Sequence, residues 1–71
     1  MPDHAKIDRR IKRLVAFEAE HRTAVKRAED DMRLDPEHKE RYRRIIKKSK
    51  RKVEKLLPKI RRLRELRASS R

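Results

Sequence analysis

Apolar residues recur at alternating spacings of three and four through the first half of the chain. Spacing of this kind places one apolar seam along an α-helix that packs against a second helix. We therefore expect a helix over about residues 4–32, which Asp3 can cap at its N-terminus. Two steps of the seam are polar, and its members are Ile7, Ile11, Leu14, Glu18, His21, Val25, Ala28 and Met32.

A second seam with the same spacing follows in the other half of the chain, and Ser49 is its polar step. Pro58 falls within this series and cannot donate a backbone hydrogen bond, which predicts a kink near Leu57. Because the seam continues in phase beyond Pro58, a kink is favoured over a break. The members of this seam are Tyr42, Ile46, Ser49, Val53, Leu56, Ile60 and Leu63.

The segment between the seams has the residues that reverse a chain and start a new helix. Asp35 suits the N-cap, and Pro36 suits the first helical position, where no N–H is needed. Glu37 then lies in the first turn, where the helix dipole favours a negative charge. The sequence predicts a turn over residues 33–35 and a second helix over about residues 36–67.

A short connection between seams of similar length predicts that the helices fold back on each other. The fold class is therefore all-α, an antiparallel, coiled-coil-like hairpin that forms a single domain over residues 1–71. In the register that we expect, Ile7 lies near Ile60 or Leu63. The same register places Glu18 and His21 near Ser49, so that the polar steps would share one layer.

Several apolar residues lie beside the seams, where a lone hairpin would leave them exposed to water. The chain has no cysteine, and a core of this size rarely contributes more than about 3–5 kcal/mol. Self-association is the remaining source of stability, and it predicts a dimer that forms a helical bundle. The residues expected to form this contact are Val15, Phe17, Ile45, Leu57 and Leu66.

Charge is distributed unevenly along the 71 residues, which carry a net charge of +13. Residues 1–35 hold 9 basic and 8 acidic side chains, whereas residues 36–71 hold 16 basic and 4 acidic ones. Solubility alone needs a net magnitude of only about 2–8 in a small domain. The excess on one helix therefore favours a polyanion as the partner. The expected contact residues are Arg9, Arg10, Arg13, Arg44, Lys47, Lys48, Lys50, Arg51, Lys55, Lys59, Arg61, Arg62 and Arg64.

Nucleic acid is the polyanion that these residue types favour, because Lys and Arg contact phosphates and release counterions. Readers of single strands stack bases on aromatic side chains, and Phe17 and Tyr42 are the two aromatic residues. We therefore expect contacts to the backbone of duplex DNA or structured RNA, with little sequence preference. The alternative is a protein-interaction module, a small adaptor or regulator whose basic helix docks on an acidic protein.

Other function classes find little support in the sequence. Glu18 and His21 have the Glu-x-x-His spacing of di-iron bundles, but helix two offers no carboxylate on its seam, so we expect no metal and no cofactor. No nucleophile and base are suitably spaced, which argues against an enzyme. No segment has the ~20 apolar residues of a membrane span. A cytoplasmic protein, associated with the nucleoid or the ribosome, is the expectation.

Overall fold

The computed structural model describes residues 4–69, which form two long α-helices joined by a short 3-10 helix. Helix α1 runs over His4–Leu34, the 3-10 helix over Pro36–His38 and α2 over Lys39–Ser69. The two α-helices pack against each other as an antiparallel hairpin whose Cα atoms span 55 × 15 × 12 Å. The predicted all-α hairpin is thus confirmed. The expected cap Asp3 lies outside the described residues.

Both helices end two residues later than expected, and α2 begins at Lys39 instead of residue 36 because Pro36–His38 form a 3-10 helix. Helix α1 continues two residues beyond the expected end at residue 32, and α2 continues unbroken through Pro58 to Ser69. Pro58 cannot donate a hydrogen bond to the Glu54 carbonyl. Both residues are exposed, so water can donate to that oxygen instead. The lost hydrogen bond and the contact of the proline ring with that carbonyl together cost about 3 kcal/mol in a helix interior, and the seam on either side holds the helix together.

The buried side chains follow the two predicted seams. Ile7, Ala28 and Ile60 are buried, and Ile60 is the most enclosed with 3% of its surface exposed. The polar seam residue Ser49 is buried as well, the other seam positions are partly buried, and most positions between them are exposed. A single layer of apolar contacts between the helices is therefore the core of the described hairpin.

The register of the hairpin differs from the expected one by at least one helical turn. The Arg67 Nε donates a hydrogen bond to Asp8 Oδ1 over 2.9 Å, where we expected residues 59–63 to lie. The difference arises because α1 extends to Leu34 and residues 35–38 then reverse the chain, which moves the centre of the turn along the sequence. Glu18 consequently lies beside Leu57 and Ile60 instead of Ser49, and the expected shared polar layer is wrong.

The turn is held by side chains instead of a simple cap. Pro36 takes the first helical position as predicted, but the Asp35 carboxylate accepts no backbone hydrogen bond. Its Oδ2 lies 2.7 Å from His38 Nδ1 and accepts a longer contact of 3.4 Å from the Tyr42 hydroxyl. One carboxylate thus connects the end of α1 to the beginning of α2.

Tyr42 provides a direct measurement of this turn, because it is the only tyrosine of the chain. Partial burial and the charges of Asp35 and Asp31 raise the pKa of its hydroxyl above 10.0. A raised pKa adds stability below pH 10.0 that is lost as the pH rises through the folded-state value. Phenolate absorbance should therefore give a higher midpoint for the native protein than for the protein in urea. Asp35→Asn should lower the native midpoint, and equal midpoints in the native and urea-unfolded protein would contradict the structure.

The seam predicts where a single truncation unfolds the protein. Ile60→Ala should lower the free energy of unfolding by about 2–5 kcal/mol, because it opens a cavity at a buried position. That loss is comparable to the whole stability of so small a core. Ile45→Ala removes the same atoms from a half-exposed position and should cost about 1 kcal/mol or less. Urea denaturation followed by circular dichroism measures both, and equal losses would rule out this packing.

Candidate nucleic-acid interface

The most distinctive surface of the hairpin is the outward side of α2. Its lysine and arginine side chains are exposed from Arg44 to Arg64, and we call them the α2 basic face. They comprise Arg44, Lys47, Lys48, Lys50, Arg51, Lys52, Lys55, Lys59, Arg61, Arg62 and Arg64. Every residue predicted for α2 is included, and Lys52, which the sequence analysis omitted, belongs with them.

The α2 basic face is not neutralised by the protein's own carboxylates. Within residues 4–69, none of its members forms an ion pair. The pairs that do form use other cations: Arg22 with Glu18, Arg33 with Asp30, His38 with Asp35, Arg43 with Glu40 and Arg67 with Asp8. The charges of the α2 basic face are therefore available to an external anion.

The spacing of these cations is unfavourable for an isolated helix. Side chains four residues apart are neighbours, and like charges at this spacing cost about 0.2–0.5 kcal/mol per pair. Lys48 has Arg44 four residues before it and Lys52 four residues after it. The one acidic residue between Arg44 and Arg64 is Glu54. The α2 basic face thus reduces the stability of the protein.

The cations form an ordered line along the rod. Arg44, Lys48, Arg51 and Lys55 follow one another at spacings of four, three and four, and Arg62 continues the line one heptad later. At about 1.5 Å per residue, Arg44 and Arg62 are roughly 27 Å apart along the helix axis. A rigid row of this length can meet several phosphates of a duplex, in which charges lie about 1.7 Å apart along the axis.

The basic residues predicted on α1 lie at the open end of the hairpin. Arg9, Arg10 and Arg13 are exposed and line a surface groove with Leu63 and Leu66 of α2. The Arg9 Nε donates to the Ala5 carbonyl over 3.3 Å, and none of the three forms an ion pair with a described carboxylate. The structure therefore brings these arginines to the end of the rod that also holds Arg61, Arg62 and Arg64.

Acidic residues are concentrated at the opposite end of the rod. Six of the twelve acidic residues lie at or near the turn, and we call them the acidic tip. They are Glu29, Asp30, Asp31, Asp35, Glu37 and Glu40. Three of these carboxylates are paired, Asp30 with Arg33, Asp35 with His38 and Glu40 with Arg43. A polyanion is attracted to the α2 basic face and the open end and repelled by the acidic tip.

Neither aromatic side chain belongs to the α2 basic face. Phe17 is on α1, and Tyr42 is a partly buried member of the α2 seam whose hydroxyl contacts Asp35. Bases stack on exposed aromatic rings in proteins that read single strands. The α2 basic face has no such ring, so its chemistry suits phosphate groups better than bases.

The residues predicted for self-association are exposed but do not form one face. Phe17, Ile45, Leu57 and Leu66 retain 40–46% of their surface, and Val15 is partly buried. Their heptad positions place Phe17, Ile45 and Leu66 on one flank of the hairpin, and Val15 and Leu57 on the other. Leu34, which was not predicted to take part, is more exposed than any of them because it lies in the last turn of α1.

No metal-binding constellation forms around the Glu-x-x-His motif. The Glu18 Oε1 accepts a hydrogen bond from Arg22 Nε over 2.6 Å, and His21 is partly buried in the seam. Among residues 4–69, no three His, Asp or Glu side chains are close enough to hold a metal ion.

Neither α1 nor α2 has an apolar stretch that could span a bilayer within the residues that the structure describes.

Comparisons with family models, curated proteins and solved structures find no match for this chain. We therefore infer the function from the charges and the geometry of the hairpin.

The repulsion along α2 can be tested by reversing one charge. Lys48→Glu replaces a lysine whose neighbours at Arg44, Arg51 and Lys52 are all basic, and it should raise the free energy of unfolding by about 0.5–1 kcal/mol. Lys26→Glu makes the same change in net charge beside Glu29 and Asp30. It should therefore stabilise less or destabilise. Equal effects in thermal or urea denaturation would mean that net charge, and not local repulsion, controls stability.

Proposed function

We propose that this protein binds nucleic acid through the phosphate backbone of duplex DNA or structured RNA, with little sequence preference. The observation that supports the proposal best is the α2 basic face, a row of exposed cations with no internal ion pair. Each contact between a cation and a phosphate releases condensed counterions, which is the main source of non-specific affinity. Arginine adds a planar fork that fits phosphate oxygens, and the row contains both residue types.

Double-stranded nucleic acid fits the shape of the hairpin better than a single strand does. A helix with its side chains is about 10–12 Å wide, close to the ~12 Å width of the DNA major groove. The Cα atoms of the whole hairpin already span 15 × 12 Å in cross-section. One helix, and not the pair, can therefore enter a groove or lie along its edge, and α2 is the helix with the cations.

The charge distribution also favours one orientation on the duplex. Arg9, Arg10 and Arg13 would extend the contact at the open end, next to the last cations of α2. The acidic tip would point away from the phosphates, because its carboxylates repel them. In this orientation the rod is tilted relative to the duplex. Its open end, near Arg61 and Arg62, contacts the phosphates, and the turn lies farther from them.

A basic helix that docks on an acidic protein is the second candidate. It is favoured by the large apolar side chains left half-exposed on the flanks, such as Phe17 and Leu57. Protein interfaces use such anchors in their centres, whereas phosphate contacts do not need them. Binding that tolerates loss of the α2 cations but not of these apolar residues would favour this candidate.

Salt dependence of binding tests the proposed function. Fluorescence anisotropy with a labelled DNA duplex, an RNA hairpin and an unstructured single strand should give affinities that fall steeply as salt rises. The triple variant Lys48→Gln, Arg51→Gln, Lys55→Gln should lower the slope of log affinity against log salt by up to about 3, or roughly 0.9 per lost contact.

The matched control removes three cations from α1 instead, as Arg22→Gln, Lys26→Gln, Arg33→Gln. Arg22 and Arg33 are already paired with Glu18 and Asp30, so this variant should change the slope by less than about 1. Undetectable binding to all three nucleic acids at low salt would refute the proposal. Equal slope changes in the two triple variants would mean that binding depends on net charge and not on the α2 basic face.

A further inference from the structure

The outer side of α1 differs from every other surface of the rod. Its middle carries small side chains, and a shallow groove is lined there by Ala16, Ala19, Thr23 and Ala24 together with Glu20 and Arg27. Phe17, which follows Ala16 in the sequence, is half-exposed. Small side chains let two helices approach closely, and an exposed aromatic ring beside them offers apolar area to bury.

Charge restricts which side of the molecule a second copy can approach. Two α2 basic faces would repel each other strongly because neither has internal counter-charges. Between Leu14 and Val25 of α1, by contrast, the charged residues are Glu18, Glu20 and Arg22, and Glu18 is paired with Arg22. The α1 groove is therefore the region where two copies can meet with the least repulsion.

Two charges in the groove complement each other across a two-fold axis. Glu20 and Arg27 are exposed, are two helical turns apart on the same side of α1, and form no ion pair with a described residue. If two α1 helices meet antiparallel with the axis near Thr23, each Glu20 faces the Arg27 of the other copy. In a two-fold contact this pairing occurs twice, which is the self-complementarity of an isologous interface.

The ends of the rod are complementary in the same arrangement. An antiparallel contact centred near Thr23 brings Arg10 and Arg13 of one copy level with residues 34–37 of the other. Two of those residues, Asp35 and Glu37, belong to the acidic tip. A basic end thus lies beside an acidic one at both ends of the contact, and the oppositely charged ends offset part of the repulsion between two basic proteins.

We propose that the α1 groove binds a second copy of this chain, in a two-fold antiparallel dimer with α1 against α1. The arrangement leaves both α2 basic faces on opposite outer sides of the dimer. If the proposed nucleic-acid binding holds, one dimer would present two independent phosphate-binding surfaces and bridge two duplex segments. The dimer itself does not depend on that function, because its contacts involve only the two protein chains.

A charge swap tests the dimer in the absence of nucleic acid. Sedimentation equilibrium of the full chain would be compared for the wild type, Glu20→Arg, Arg27→Glu and the double swap, which restores both the net charge and the pairing. Each single reversal should weaken association by about tenfold or more, since each disrupts two pairs, and the double swap should recover most of it. Circular dichroism confirms that each variant is folded, as expected for substitutions at exposed helical positions.

A steric variant and its control make the test independent of charge pairing. Ala19→Trp fills the groove and should abolish association, whereas Ala68→Trp places the same side chain at an exposed position of α2 and should leave it unchanged. A monomeric wild type, single reversals without effect, or a double swap that stays monomeric would each overturn the dimer.

Bridging is then measured separately, by energy transfer between two differently labelled duplexes. Wild type should bring the duplexes together, and Ala19→Trp should bind each duplex without joining them. Loss of the dimer with retained duplex binding would refute this inference and leave the proposed function standing. A dimer that fails to bind any duplex would refute the proposed function and leave the interface standing.

Discussion

The packing of one apolar seam against another is the constraint on which the whole molecule depends. A chain with 52% charged residues has few side chains to bury, and nearly all of those it buries lie on the lines from Ile7 to Met32 and from Tyr42 to Leu63. The seams must therefore face each other, which directs everything else outward. The placement of the cations follows from this, because no position on α2 except the seam is shielded from water.

The α2 basic face places like charges close together at the expense of stability. Neighbouring cations such as Lys48 and Lys52 repel each other, and a carboxylate at either place would suit the isolated helix better. The acidic residues are instead concentrated at the turn, where Asp35 holds His38 and Tyr42 and where Glu40 pairs with Arg43. Such segregation is costly for a fold with so small a core, and a polyanion bound along α2 would remove the cost.

Periodicity and turn chemistry were enough to predict the helices, the hairpin and the exposure of the basic residues. The seam positions are predictable because burial repeats with the helix itself, and Pro36 is informative because its backbone fits one place in a helix. The register was not predictable, since it depends on how α1 ends: Leu34 stays helical and residues 35–38 are needed to turn. The role of Asp35 was also predicted incorrectly. Its carboxylate contacts His38 and Tyr42 and is therefore not available to cap the helix. Glu20 and Arg27 were not singled out from the sequence, because their importance depends on their position in the groove on α1.

The unpaired row on α2 has a consequence for how the protein responds to its ionic surroundings. Dissolved ions screen the repulsion between cations such as Arg51 and Lys55, so a rise in ionic strength should make the free hairpin harder to unfold. If α2 binds nucleic acid as proposed, the same ions would compete for the phosphates and weaken that binding. Folding and the proposed binding would then have salt dependences of opposite sign that originate from one set of side chains. At low ionic strength, a bound duplex would stabilise the folded hairpin under the conditions where repulsion along α2 is strongest.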